Sequence, residues 1–288
     1  MMYTVRPGLP AQLWGGLLSI VLILTVISSG LDASGMAVNP TVSTPLAGGQ
    51  IKTASPALAD VDGDGKLEVI VGTGKDGSLP YLAVLEDNLA IKWQVLLLDP
   101  VASSPAVADL TFPPDGIPEI IVTTGGDTSQ SQGSVIALDS RDGTQLWKYD
   151  TNDAQGTGTP SGNYASPTIG DVDGDGDLEI VVGSWDRNIY LLNHLGQYVW
   201  HYHVADTVWS TAALADLNQD NLPEIIIGTD ITGGGVLPDG YRPTDGGFVL
   251  ILDKNGNKLA RRQMNEIIAS SPAVGDADGD GLYEIFVG

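Results

Sequence analysis

One nine-residue string returns along this chain at intervals too wide for a single element of secondary structure. It reads Asp60-Val61-Asp62-Gly63-Asp64-Gly65-Lys66-Leu67-Glu68, recurs from Asp171 to Glu179 and again from Asp276 to Glu284, and is followed each time by an apolar run. A softer copy spans Asp216 to Glu224 and a damaged one spans Asp109 to Glu119, so the leading aspartates stand 49, 62, 45 and 60 residues apart. Periods of roughly 40–50 residues belong to repeat architectures in which each repeat is one supersecondary unit and longer intervals are loop insertions. The chain is therefore an array before it is anything else.

The string itself is built to hold a hard cation. Oxygens at the first, third and fifth positions, a carbonyl at the seventh, a turn-forming glycine at the sixth and a closing acid follow the logic of the EF-hand loop. Here the closing Glu stands ninth rather than twelfth, a shorter loop that suits two antiparallel strands. The expected ligands are Asp60, Asp62, Asp64, the Lys66 carbonyl and Glu68 in the first copy, and Asp171, Asp173, Asp175, Asp177 and Glu179 in the second. The third full copy offers Asp276, Asp278, Asp280, the Leu282 carbonyl and Glu284, and the softer copy offers Asp216, Asn218, Asp220, the Leu222 carbonyl and Glu224. The cation expected is Ca2+, at about four sites; Mg2+ suits an all-protein cage less well. The damaged copy has Thr111 where an acid is expected and two extra residues before its closing acid, so it reads as an empty site whose weak candidates are Asp109, Asp115 and Glu119. Asp and Gly also dominate metal-free turns, but a turn needs neither a Glu at a fixed distance nor an acid at every second position.

Each loop sits in a recurring grammar of strands. A short first strand such as Ser55-Pro56-Ala57-Leu58-Ala59 leads into the loop, and the loop feeds an apolar strand such as Leu67 to Val71. Continuous apolar runs without polar alternation indicate strands covered on both faces. Third and fourth strands follow, running Leu82–Leu85 to Trp93, Ser134–Leu138 to Trp147, Ile189–Leu192 to Trp200 and Phe248–Leu252 to Ala260. Asp142-Gly143 and Asn255-Gly256 are strong hairpin signals between them, and Leu195-Gly196 is a weaker one. Four antiparallel strands per repeat of this length describe a propeller blade. The expected fold is all-β: a β-propeller with four full blades and a partial fifth. Because the chain stops directly after an apolar second strand, which would leave an unpaired edge, it is expected to be a fragment of a larger propeller or an arc closed by residues 40–54.

The run Ser-Pro-Ala, Asp-x-Asp-Gly-Asp-Gly-x-x-Glu and Ile-Val-Val-Gly resembles the FG-GAP/VCBS repeats of integrin alpha-subunit propellers and of many secreted bacterial proteins. The resemblance covers residues 55–288 and implies a β-propeller with calcium between the first and second strands of a blade. It leaves the ligand open, since such propellers serve as adhesion modules, lectin-like domains and enzyme scaffolds. Ala137-Leu138-Asp139-Ser140-Arg141-Asp142-Gly143-Thr144-Gln145-Leu146-Trp147 is similar to the tryptophan docking motif of quinoprotein propellers, and implies Trp side chains packed between neighbouring blades.

Residues 1–37 read as an export segment. Arg6 is the sole charge before Asp32, and the largely apolar run from Leu13 to Ile27 fits a signal-peptide core better than a membrane span of about 20 residues. An uncleaved N-terminal anchor is the competing reading, and residues 38–54 form a Pro-, Ser-, Thr- and Gly-rich lead-in. Either way residues 55–288 are expected outside the cytoplasm. The absence of cysteine removes disulfides and thiol catalysis, and a net charge of -23, from 36 acidic against 13 basic residues, makes nucleic acid and anionic membranes poor partners. A membrane role is expected only through that anchor.

No Ser-His-Asp or metalloprotease motif is present. His201 and His203 alternate on one strand and could bind a transition metal or act as a base, but read first as surface residues. The long insertions 150–165 and 229–247, with Tyr164, Tyr241 and Arg242, are the better binding candidates. The leading expectation is a secreted or surface-tethered calcium-binding propeller that binds an extracellular protein or glycan. A propeller-fold polysaccharide lyase or hydrolase is the enzymatic alternative, and an envelope scaffold is the third.

Overall fold

The computed structural model describes residues 2–4, 51, 54–74, 79–125, 133–151, 162–231 and 236–288. No helix occurs among them. β1 (Met2–Thr4) belongs to the last sheet, and the rest follow in chain order. β2 (Ala57–Ala59), β3 (Glu68–Gly72), β4 (Tyr81–Leu85) and β5 (Ile91–Leu96) form the first antiparallel sheet, in that order. β6 (Ala106–Ala108), β7 (Glu119–Thr124), β8 (Ser134–Asp139) and β9 (Gln145–Asp150) form the second. The third comprises β10 (Thr168–Gly170), β11 (Glu179–Gly183), β12 (Asn188–Leu192) and β13 (Tyr198–His203). The fourth comprises β14 (Ala213–Ala215), β15 (Glu224–Ile231), β16 (Gly246–Leu252) and β17 (Lys258–Met264). A fifth, three-stranded sheet pairs β18 (Ala273–Gly275) with β19 (Glu284–Phe286) and β19 with β1. The strand expected unpaired at the end of the chain thus has a partner at the front of the expected export segment; residues 40–50 lie outside the described residues.

Strand alternation assigns the second, third and fourth sheets to two cores each, one on either side. Ile120 and Val122 of β7 pack with Ile70, Leu82 and Val84 of the first sheet, while Ile121 packs with Ile180 and Val182 of the third. β15 repeats the pattern, with Ile225 and Ile227 facing the third sheet and Ile226 facing Ile285 of the fifth. These stacked blades make the fold a β-propeller. It also explains the unbroken apolar runs, because alternate residues leave one core only to enter the next. Each fully buried Ile or Val contributes about 1.5–3 kcal/mol.

Two hydrogen-bond series lock neighbouring blades. At the start of the first strands the Ser55 N–H donates to Ser104 Oγ at 2.9 Å, the Ser104 N–H to Ser166 Oγ at 2.9 Å, and the Ser166 N–H to Thr211 Oγ1 at 3.0 Å. At the fourth strands Trp93 Nε1 donates to Ser140 O, Trp147 Nε1 to His194 O and Trp200 Nε1 to Lys254 O, at 2.8, 3.1 and 2.8 Å. Each indole rests on the hairpin glycine of the following blade. A Cβ added at Gly143, Gly196 or Gly256 would stand 2.8, 2.4 or 2.8 Å from Trp93, Trp147 or Trp200 respectively, and all three glycines have positive φ. The hairpins sought in the sequence therefore use glycine for its backbone and for its missing side chain. Ala260 takes the Trp position in the fourth blade.

Candidate metal centres

All five loops fold to one template. The first aspartate gathers the loop: Asp60 accepts the N–H groups of Gly63 (2.7 Å) and Gly65 (2.9 Å), Asp171 those of Gly174 and Gly176, and Asp276 those of Gly279 and Gly281. The closing Glu reaches back from the start of the second strand to the N–H that follows the first aspartate, in Glu68 to Val61 (2.9 Å), Glu119 to Leu110, Glu179 to Val172, Glu224 to Leu217 and Glu284 to Ala277. Such bonds hold a buried carboxylate in place and leave its second oxygen for another partner.

Three loops bring ligand-type oxygens together within 4.8 Å of one another: Asp60, Asp62 and Glu68; Asp171, Asp173 and Glu179; and Asp276, Asp278 and Glu284. Asp175 and Asp177 form a second such group with the same Glu179. Asp64 and Asp280, expected beside them, lie outside these groups, and one oxygen of each accepts the N–H two residues on, from Lys66 and Leu282. In the softer loop Asn218 Nδ2 donates to Glu224 Oε1 at 2.6 Å and to Asp220 Oδ2 at 3.0 Å, so an amide bridges the two carboxylates. The damaged loop keeps its frame: Asp109 accepts Thr111 and Gly116, and Asp115 accepts Ile117. Its middle acid is the missing part.

The loops differ in their charge balance. Lys92 Nζ lies 2.6 Å from Asp62 Oδ2 and 3.2 Å from Glu86 Oε1, so the first loop has a built-in cation; the pair lowers the Asp62 pKa and raises that of Lys92 to about 12. In the third blade His194 Nδ1 stands 2.7 Å from Asp177 Oδ2, a contact without hydrogen-bond alignment, and Lys254 Nζ donates to the Asp173 carbonyl at 3.1 Å. Burial pushes the Glu179 carboxyl up to about 7 and those of Glu119 and Glu224 upward too. In the fifth blade no cation pairs with Asp276, Asp278 or Glu284 among the described residues, and Glu284 Oε1 is buried without a partner. A buried orphan carboxylate oxygen beside two more acids fits a hard divalent cation.

His201, His203 and Tyr241 make contacts within the fold. His201 Nδ1 is 3.0 Å from Tyr198 OH and His203 Nδ1 is 3.2 Å from Asn188 Oδ1. Neither histidine joins an ion-holding group among the described residues. Tyr241 carries the Arg261 guanidinium 4.1 Å above its ring and donates to Gln263 Oε1, which ties the second insertion to β17. Arg242 is exposed, and residues 152–161 and 232–235 of the insertions lie outside the described residues.

Four-stranded blades with acidic loops between first and second strands define a repeat β-propeller. Residues 114–182 and 171–227 match the family of the FG-GAP-like repeat, and this chain carries FG-GAP-like repeats. No curated protein matches the sequence. Among solved structures the chain is similar to the rhamnogalacturonan lyase YesW (TM-score 0.54, 19% identity, covering 81% of this chain and 43% of that one). The exotype rhamnogalacturonan lyase YesX is alike to the same degree (TM-score 0.54, 18% identity, 81% and 42%). A looser likeness is to the quinohemoprotein alcohol dehydrogenase of Comamonas testosteroni (TM-score 0.46, 11% identity, 81% and 59%). At these identities the likeness is one of fold, and the chain spans less than half the length of either lyase.

Proposed function

We propose that this chain is an exported, calcium-binding β-propeller that serves as a binding module for an extracellular protein or glycan. The observation that supports it most is the orphaned Glu284 Oε1 beside Asp276 and Asp278, in a loop whose frame recurs in every blade. Asp60, Asp62 and Glu68, Asp171, Asp173 and Glu179, and the Asp276 group would hold the ions. Ca2+, when bound, supplies charge neutralisation and no redox chemistry. The chain's own part is to fix the carboxylates through backbone N–H bonds before the ion arrives, so that binding energy goes into stability. With the carboxylates of this end committed, the opposite end is left for a ligand. Export rests on the pattern of residues 1–37 and is tested by cell fractionation.

The test is a calcium titration that follows melting temperature and bound-metal stoichiometry together. About three to four ions with a large rise in stability are expected, since a ligand at 100 times its Kd adds about 2.7 kcal/mol per site. Unchanged stability after chelation would remove the reading. Cleavage of a polysaccharide by the purified protein would replace the binding module by a lyase or hydrolase.

A further inference from the structure

The end opposite the acidic loops carries an aromatic cluster that the scaffold does not require. Tyr164 and Trp185 stack with ring centroids 4.6 Å apart and planes 22° apart, and Trp209 tilts against both, at 5.2 and 4.5 Å. The three rings come from three segments: the approach to β10, the β11–β12 turn and the β13–β14 link. Backbone bonds fix those segments to one another, the Trp185 N–H donating to Gly162 O (3.1 Å) and the Val208 N–H to Ser184 O (3.2 Å).

The other blades make the same bonds with different residues. Val101 to Thr73, Asn163 to Thr124, Val208 to Ser184 and Ile268 to Thr229 are equivalent bonds, which sets the register. In that register Tyr164 and Trp209 correspond to Ala102 and Ala269, and Trp185 corresponds to Gly74, Gly125 and Asp230. Alanine and glycine satisfy the fold at these positions elsewhere, so the rings are an addition confined to the third and fourth blades.

Polar groups border the rings. Asp206 accepts the Thr207 N–H at 2.8 Å, Trp209 Nε1 donates to Thr207 Oγ1 at 3.0 Å, and the Asp230 N–H donates to Thr207 O at 3.1 Å. Thr207 therefore gathers the Asp206 carboxylate, the Trp209 indole and the Asp230 backbone around one residue. Burial, with the nearby Asp206 charge, raises the Asp230 pKa. Trp185 Nε1 is buried without a hydrogen-bond partner among the described residues.

We propose that Tyr164, Trp185 and Trp209, with Asp206 and Asp230 beside them, form a binding platform for a neutral glycan. Flat, pre-set rings offer a face to the C–H surface of a pyranose, and carboxylates accept its hydroxyl hydrogens. The two acids and the overall charge of -23 disfavour uronic-acid polymers. Three rings, of which Trp209 is 36% exposed, fall well short of the roughly 800 Å2 per partner of a stable protein interface. The proposal rests on the binding-module reading and gives it a ligand class.

The experiment titrates the calcium-loaded protein with soluble galactomannan, arabinoxylan and mixed-linkage glucan, and separately with polygalacturonate, reading heat and tryptophan fluorescence. At least one neutral polymer should bind and shift the fluorescence. Trp209→Ala should weaken that binding about tenfold or more, with Asp230→Asn giving a smaller loss. Trp209 is the most exposed ring, so this variant should keep the wild-type melting temperature; Tyr164→Ala provides a second ring deletion if it does not. Neutral-glycan binding unaffected by both ring variants would overturn this site and leave the module reading standing. Binding of polygalacturonate alone, or of no polymer, would overturn the neutral-glycan assignment. New chain ends in the polymer would instead overturn the binding-module reading beneath it.

Discussion

The two ends of the blades differ in how strictly they repeat. At the loop end, five acidic loops share one pattern of backbone N–H bonds, and three hairpins offer a glycine to the preceding blade's tryptophan. At the opposite end the equivalent positions read Gly74, Gly125, Trp185 and Asp230 in four successive blades. The loop end is bound by geometry that every neighbour shares, so a change there is felt by two blades. The other end has to keep its backbone bonds and the Ser104, Ser166 and Thr211 hydroxyls that accept the preceding blade's N–H, and side chains outside that frame are free to differ. Strict repetition marks what holds the array together, and departure from it marks what one array does that another would not.

The largest test of that contrast compares two tryptophans. Trp147→Ala at the loop end removes an inter-blade ring and its bond to His194 O, and should cost about 3 kcal/mol. At this chain length that is a fall of about 6–12 °C in melting temperature. Trp209→Ala at the other end should cost well under about 1 kcal/mol while weakening glycan binding about tenfold or more. Equal losses of stability would break the comparison, because the aromatic cluster would then be part of the scaffold.

A smaller effect separates two reasons for glycine within the loop end. Gly196 has φ of +72° and meets the Trp147 ring, whereas Gly63 has φ of +78° and open space around it. Gly196→Ala should therefore cost about 2 kcal/mol or more, the left-handed backbone penalty plus displacement of the indole. Gly63→Ala should cost about 1 kcal/mol, from the backbone alone. Denaturant unfolding of both would show whether the docking or the turn dominates. Ser166→Ala comes next, at about 1 kcal/mol, since it removes the oxygen that accepts the Ser104 N–H.

The same contrast decides what a reader of the sequence could see. The acidic strings, the hairpin glycines and Trp93, Trp147 and Trp200 were legible because each recurs with its neighbours in order, and period alone exposes them. The two-sided cores were legible for a related reason: β7 and β11 carry the unbroken apolar runs Ile120-Ile121-Val122 and Ile180-Val181-Val182, with no polar alternation, as a doubly covered strand requires. Finer features of the loops were not. Asp64 and Glu68 look alike as acids, yet the Glu68 side chain folds back over the loop while the Asp64 carboxylate turns to its own backbone. Lys92 lies 30 residues from Asp62 and only strand pairing brings it there. The aromatic cluster unites residues 164, 185 and 209 without a period. Its one sequence signal is that Tyr164 and Trp209 stand the same two places before Ser166 and Thr211, the hydroxyls that link successive blades.

The smallest effect concerns the acid beneath the platform. Asp186 follows Trp185 in the same turn but points inward, fully buried, where it accepts the Tyr190 hydroxyl and the Asn188 N–H. Tyr149, Tyr190 and, through Asn188, His203 are the titratable groups around it. Burial raises its pKa above the usual carboxylate range, against the opposing pull of those hydrogen bonds. A carboxyl whose pKa is raised by folding favours the folded state most when protonated. Its contribution is complete below the unfolded value of about 3.9 and is lost as pH rises through the folded value. Asp186→Asn keeps the shape and removes the titration, so the variant should lose less stability than the parent between pH 4 and pH 7. If the two curves stay parallel, the turn that carries Trp185 is held by its backbone bonds alone, and the platform owes nothing to the acid below it.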